Sequence, residues 1–185
     1  HRDIKLENVM LSADDPRAVK LVDFGLAVCM PSTPDGGFDE GALLHDKVGS
    51  KSYRAPEILA SGGYRPTPVD VWALGITVFS LVSGFFPLDE AKPTDWRFAR
   101  LAHDQARGVG PCASIYAMYR RQCPLSAELA ELLDAMLAID PAARVTLQHV
   151  AEHRWFASRH SAQGEAAEAE DGDEVVYRSA GGQGD

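Results

Sequence analysis

Apolar and polar residues follow several different rhythms along this chain. Residues 9–11 and 18–23 are short apolar runs separated by the turn-rich stretch SADDPR, which predicts a small β-hairpin. From 24 to 56 the periodicity disappears. Pro31, Pro34, Gly36, Gly37 and Gly41 fall there, and they predict a long loop of the kind that is functional or disordered. Residues 71–88 then carry no charge at all. Pro68 fits the first turn of a helix with Thr67 as its cap, and Gly84 fits its end. The uncharged stretch is as long as the shortest membrane spans. Gly75, Thr77, Ser80, Ser83, Gly84 and Pro87 interrupt it, however, and Asp70 precedes it. The pattern is that of a helix buried in a globular core.

Three further helices follow from spacing. Thr94 is placed to cap a helix over 95–107, with Trp96, Ala99, Leu101 and Ala102 available for burial and GVGP as its stop. Ser126 precedes Leu129, Leu132, Leu133, Met136 and Leu137, a stripe with helical period. Thr146 caps a last helix through His153. Residues 158–185 turn to Ala, Glu, Gly, Asp and Gln, too few apolar positions for a core, so an acidic, disordered tail is expected. The fold class is therefore mainly α, formally α+β because of the hairpin, with one domain over 1–157.

Composition narrows the function classes. The 185 residues are 45% apolar, enough for one real core. The net charge is −9, and residues 159–185 alone hold seven acids against two bases. No general nucleic-acid or membrane-surface footprint is present. Cys29, Cys112 and Cys123 are few, odd in number and not in a CxxC pair. That excludes a cysteine zinc site and points to reduced thiols in an intracellular, cytoplasmic or nuclear protein.

The chemistry is concentrated in three segments: HRDIKLEN at 1–8, DFG at 23–25 and GSKSYRAPE at 49–57. In this order and spacing they resemble the eukaryotic protein kinase family, and DVWALG at 70–75 and DPAAR at 140–144 extend the resemblance over about residues 1–157. It implies the C-terminal lobe of that fold, with the hairpin carrying the catalytic and DFG loops. It also implies transfer of the ATP γ-phosphate to a protein hydroxyl, with Mg²⁺.

By the same resemblance Asp3 accepts or orients the hydroxyl proton, and Lys5 offsets charge on the transferred phosphate. Asn8 and Asp23 supply oxygens to the metal and its nucleotide. Lys5 two residues after Asp3, with Ser50 bridging both, is the Ser/Thr pattern. Ser50 is read as a structural hydroxyl rather than a phosphorylation site. Arg2, Phe24 and Gly25 belong to the activation-loop apparatus. Phe24 is a hydrophobic plug, and His1 packs against the DFG backbone. Asp70 anchors the catalytic-loop backbone, and Glu57 pairs with Arg144. SGFFPL and HRWF are most similar to the calcium/calmodulin-dependent kinase group, although no calmodulin-binding segment is evident.

The chain also departs from the family pattern. It contains no GxGxxG loop, VAIK lysine or paired glutamate before His1, the elements of the N-terminal lobe that covers ATP. The 185 residues alone are therefore expected to be inactive. Asp46 stands three positions before Gly49, where many relatives carry a phosphorylated residue, and it is placed to imitate that phosphate towards Arg2. Ser32, Thr33 and Ser52 are alternative phosphorylation sites. Glu7 resembles an acid that selects basic substrates. Its usual partner position is Ser80, which weakens that preference. The stretch 88–126 is longer than the family needs. Its arginines (97, 100, 107, 120 and 121) with Tyr116 and Tyr119 form either a docking surface or an ordinary solvated helix pair. Two other readings remain: a non-catalytic scaffold, weighed against by the intact Asp3, Asn8 and Asp23, and a small-molecule kinase, weighed against by GSKSYRAPE.

Overall fold

The computed structural model describes residues 1–15, 17–39 and 41–156; the expected tail lies outside them. The expected hairpin forms. Strand β1 (Val9–Leu11) pairs antiparallel with β2 (Val19–Leu21), with Val9 opposite Leu21 and Leu11 opposite Val19. Six α-helices follow among the described residues: α1 (Pro56–Leu59), α2 (Pro66–Ser83), α3 (Trp96–Gln105), α4 (Pro111–Met118), α5 (Ala127–Met136) and α6 (Leu147–Ala151). Short 3-10 turns sit at Leu6–Asn8 and Lys51–Tyr53. The described chain is mainly helical with one small two-stranded sheet.

Helix α2 is the axis of the core. Trp72, Phe79, Val71 and Ile76 are fully buried along it, with Leu133 and Leu137 packing from the α5 side. Burying a side chain of this size contributes about 1.5–3 kcal/mol. A Cβ on Gly75 would lie 3.0 Å from Leu137 and 3.1 Å from Met136, so the missing side chain lets α2 and α5 approach. By length and composition α2 is apolar enough to cross a membrane, but 56% of that window is buried inside the chain.

Several boundaries differ from the sequence expectation. Helix α2 starts at Pro66, with Arg65 rather than Thr67 as the cap. The early N–H groups of a helix have no internal acceptor, so Pro66 and Pro68 are both tolerated there and the earlier one sets the start. Gly84 ends it as expected, at φ 74°. Asp95 rather than Thr94 caps α3, accepting from Arg97 N at 2.9 Å. The same carboxylate accepts from the backbone of Asp89 and Glu90 at 2.9 and 3.0 Å, so it organises the α2–α3 connection as well. Helix α4 was not anticipated. Ser126 and Thr146 cap α5 and α6 as expected.

The stretch 88–126 contains α3 and the largely buried α4, and three of its five arginines have partners within the chain. Arg97 is paired with Asp89 and Asp95, and Arg100 lies 2.7 Å from Asp104. Tyr116 is in the core. Arg121 lies over the ring of Phe85, and Tyr119 donates to the Phe86 carbonyl at 3.1 Å.

Candidate active site

The turn at residues 1–8 is fixed from below by α2. Asp70 accepts from the backbone nitrogens of His1 and Arg2, at 2.7 and 2.8 Å. The residue between that anchor and Asp3 is under backbone constraint: Arg2 has φ 68°, a conformation that a side chain normally disfavours. The result turns Asp3 inward, where it is buried.

Asp3, Lys5, Asn8 and Ser50 come together in one cluster. Lys5 Nζ donates to Asp3 Oδ2 at 2.7 Å and to Ser50 Oγ at 2.9 Å. The Ser50 backbone N–H donates to Asp3 Oδ1 at 2.8 Å. Asn8 Nδ2 donates to the Asp3 carbonyl at 2.9 Å. Segments 45 residues apart in sequence thus meet around one carboxylate. The close approach depends on Gly49, at φ 94°, because a Cβ there would sit 2.6 Å from the Arg2 carbonyl oxygen.

Electrostatics keep this carboxylate ionised. Burial alone would raise the pKa of Asp3, but the hydrogen bonds from Lys5 and Ser50 outweigh it and hold the group below its ordinary value. The bond to Asp3 raises Lys5 in turn, with smaller contributions from the charges of Glu7 and Asp23. Both partners stay charged at neutral pH. Asp3 Oδ2 also receives a longer bond from Asn8 Nδ2 at 3.4 Å, so the further lone-pair site lies on Oδ1, which accepts from the Ser50 N–H alone.

Asp23 directly follows Val22, whose N–H donates to the Asn8 carbonyl at 2.9 Å. It is exposed, with φ 63°, and its Oδ1 accepts from Gly25 N at 3.2 Å. Among the described residues no three His, Cys, Asp or Glu side chains gather to hold a metal by themselves. A Mg²⁺ ion keeps several waters, so one or two hard oxygen ligands are enough. Asn8 and Asp23 fit that requirement. The amide nitrogen of Asn8 is committed to Asp3, which reserves its carbonyl oxygen for a ligand, and Asp23 offers a carboxylate.

Arg2, Asp46, His1 and Phe24 make a second set of contacts. Arg2 Nε donates to the Leu26 carbonyl at 2.7 Å, and its Nη1 pairs with Asp46 at 3.2 Å. Tyr64 Oη donates to the Asp46 carbonyl at 2.8 Å. His1 Nε2 lies 3.1 Å from the Val22 carbonyl, and its ring meets Phe24 edge-on at 4.9 Å. Phe24 is 62% exposed, so these residues give the expected plug no pocket beyond that contact. Arg144 forms a two-point pair with Glu57 at 2.5 and 3.0 Å.

Tyr53 was not singled out by sequence. Its hydroxyl donates to Glu7 at 3.3 Å and accepts from Leu6 N at 3.4 Å, bracing the 5–8 turn. No local pattern announces that contact across 46 residues.

Comparison with known proteins matches residues 1–156 to the family described as Protein kinase domain. A rice (Oryza sativa subsp. japonica) protein, CBL-interacting protein kinase 19, is 36% identical over 165 residues, covering 84% of this chain and 27% of the relative. The Arabidopsis thaliana CBL-interacting serine/threonine-protein kinase 13 is 32% identical over 164 residues, covering 84% and 27%. Serine/threonine protein kinase OSK3 of Oryza sativa subsp. indica is 33% identical over 159 residues, covering 86% and 27%. The chain therefore spans under a third of the length of these relatives.

Proposed function

The chain belongs to the protein kinase domain family, homologous to Ser/Thr kinases, and on that premise we propose that it carries the acceptor side of a protein Ser/Thr kinase. Residues 1–157 are read as the lobe that binds protein substrate and presents the catalytic loop. The reaction moves the γ-phosphate of ATP to a serine or threonine hydroxyl. The observation that carries this reading is the Asp3 carboxylate, held ionised and oriented by Lys5 and the Ser50 N–H.

A neutral alcohol needs a carboxylate close by to aim its oxygen and to take its proton late in the transfer. Asp3, with its depressed pKa, suits orientation and late acceptance rather than early abstraction. Lys5 is charged and within reach of the same space, where it offsets the negative charge of the phosphoryl oxygens. Asn8 and Asp23 are the residues that would hold Mg²⁺. The metal, when bound, neutralises phosphate charge and fixes the nucleotide's phosphates. Ser50 keeps Asp3 and Lys5 in register, and Arg2 with Asp46 ties the activation loop to the catalytic turn. Glu7 is exposed and gives a weak preference for basic residues near the acceptor.

Phosphate transfer needs the glycine-rich loop and strand lysine of the family as well. Residues 1–185 by themselves are accordingly read as inactive. The test is transfer from radiolabelled ATP to protein substrates by the protein at its natural full length. Loss of transfer in Asp3→Asn with the fold retained supports the reading, and retained turnover overturns it.

A further inference from the structure

The connection between α2 and α3 reaches the catalytic cluster through Arg54, and separately through the edge-on contact of Phe86 with Tyr53 at 5.4 Å. Arg54 makes the polar link. Its Nε donates to the Gly49 carbonyl at 2.8 Å, and its Nη1 lies 3.6 Å from Glu90 Oε1. Glu90 is only 7% exposed. Its other carboxylate oxygen is 2.5 Å from Lys92 Nζ, and its backbone N–H is fixed by Asp95. A carboxylate this enclosed is tolerated because cations face it on both sides.

The peptide that Arg54 grips is the one that presents Ser50. Gly49 packs flush against the Arg2 carbonyl. The next residue, Ser50, donates its N–H to Asp3 Oδ1 and accepts at its hydroxyl oxygen from Lys5. We propose that Arg54 and Glu90 are positioning residues, which hold the 49–50 peptide so that Ser50 orients Asp3. The proposal rests on the kinase reading for its catalytic consequence but not for its structural one. Neither residue touches the reacting groups, and both act through Gly49 and Ser50. Variation in the α2–α3 connection would thereby tune the acceptor side of the site.

The test has two arms. In the 185-residue chain, hydrogen exchange is followed at the Ser50 amide and at α5 core amides such as Leu133. Arg54→Met and Glu90→Gln are each expected to speed Ser50 exchange about tenfold while core amides stay within about twofold. The double variant is expected to match the stronger single variant, because the two side chains form one chain of contacts. In the protein at its natural full length, both variants are expected to lower kcat about fivefold with KM for ATP within about twofold. Unchanged Ser50 exchange, equal acceleration of core amides, or additive single effects would each overturn the proposal. So would fast Ser50 exchange with undiminished kcat in an active parent. If the parent transfers no phosphate, the kinase reading fails and the exchange arm alone decides the positioning.

Discussion

Arg144 and Glu57 lie 87 positions apart and are joined by a two-point ion pair. The arginine side chain is 0% exposed. It also donates to the carbonyls of Pro68, Ala138 and Ile139 and lies over the Trp72 ring at 5.1 Å. One guanidinium therefore joins the segment after Ser50, the start of α2 and the α5–α6 connection. Removing Glu57 strands a buried cation. Glu57→Ala is expected to cost about 3–5 kcal/mol in urea denaturation. A loss below about 1 kcal/mol would show that the pair behaves like a surface one.

Asp46 gives a contrasting case. Its side chain is 70% exposed while that of Arg2 is 11% exposed. Asp46→Ala is expected to change stability by less than about 1 kcal/mol. If the carboxylate takes the place of a phosphate, the same variant lowers phosphate transfer by the natural full-length protein, and added salt weakens the parent's activity in the same direction. Unchanged turnover in Asp46→Ala would leave the residue as a solvent-facing acid.

Gly49 is intolerant of any side chain. A methyl group there meets the Arg2 carbonyl at 2.6 Å, on a backbone at φ 94°. Gly49→Ala is expected to cost roughly 1–3 kcal/mol from the strained backbone, and to separate the Ser50 N–H from Asp3. Calorimetric melting together with the Ser50 amide shift by NMR checks both. A stable variant with an unmoved Ser50 resonance would mean that the two segments are less closely packed than described.

The acid response is expected to run through Asp95. Burial would raise its pKa, but the backbone N–H groups of Glu90, Arg97 and Asp89 outweigh burial and bring it below the ordinary value. The native state then binds fewer protons than the unfolded one across that window. Its contribution is complete above the unfolded-state pKa of about 3.9. It disappears as pH falls through the lower folded value. Denaturant titrations from neutral to acid pH should show Asp95→Asn clearly less stable than the parent at pH near 7, with the gap narrowing in acid. A gap that widens in acid would reverse the sign assigned here.

Much of this architecture was legible from periodicity and punctuation. The hairpin, α2, α5 and α6 follow local rules, and Ser126 and Thr146 cap where a hydroxyl before an apolar stripe predicts. Helix α4 escaped because it is short and buried around Cys112, Ser114, Ile115 and Tyr116, so no amphipathic stripe shows. Its N-terminus is satisfied by Asp134 of α5, which accepts from Cys112 N at 2.6 Å, and that partner lies 22 residues away. Pro111 at its first turn was the available signal, but GVGP also reads as a stop. The cluster of Asp3, Lys5, Asn8 and Ser50 was visible as motif residues. Arg54 lies within the 49–57 motif, but its link to Glu90 was not visible, since only the tertiary fold brings the α2–α3 connection against Arg54. The cap of α3 was missed by one residue because Thr94 and Asp95 are both good caps, and only the added donors of Asp89 and Glu90 favour the carboxylate.

The most direct measurement is single-turnover phosphate transfer by the natural full-length protein and its Asp3→Asn variant, with the fold of both checked by circular dichroism. Replacing the carboxylate with an amide keeps the size and loses the proton acceptor. Transfer is expected to fall at least about 100-fold while ATP binding persists. In the parent, the acid limb of the rate is expected below the ordinary carboxylate pKa, because Lys5 and Ser50 depress Asp3 against the opposing effect of burial. An Asp3→Asn variant that turns over at the parent's rate would contradict the assignment of this site.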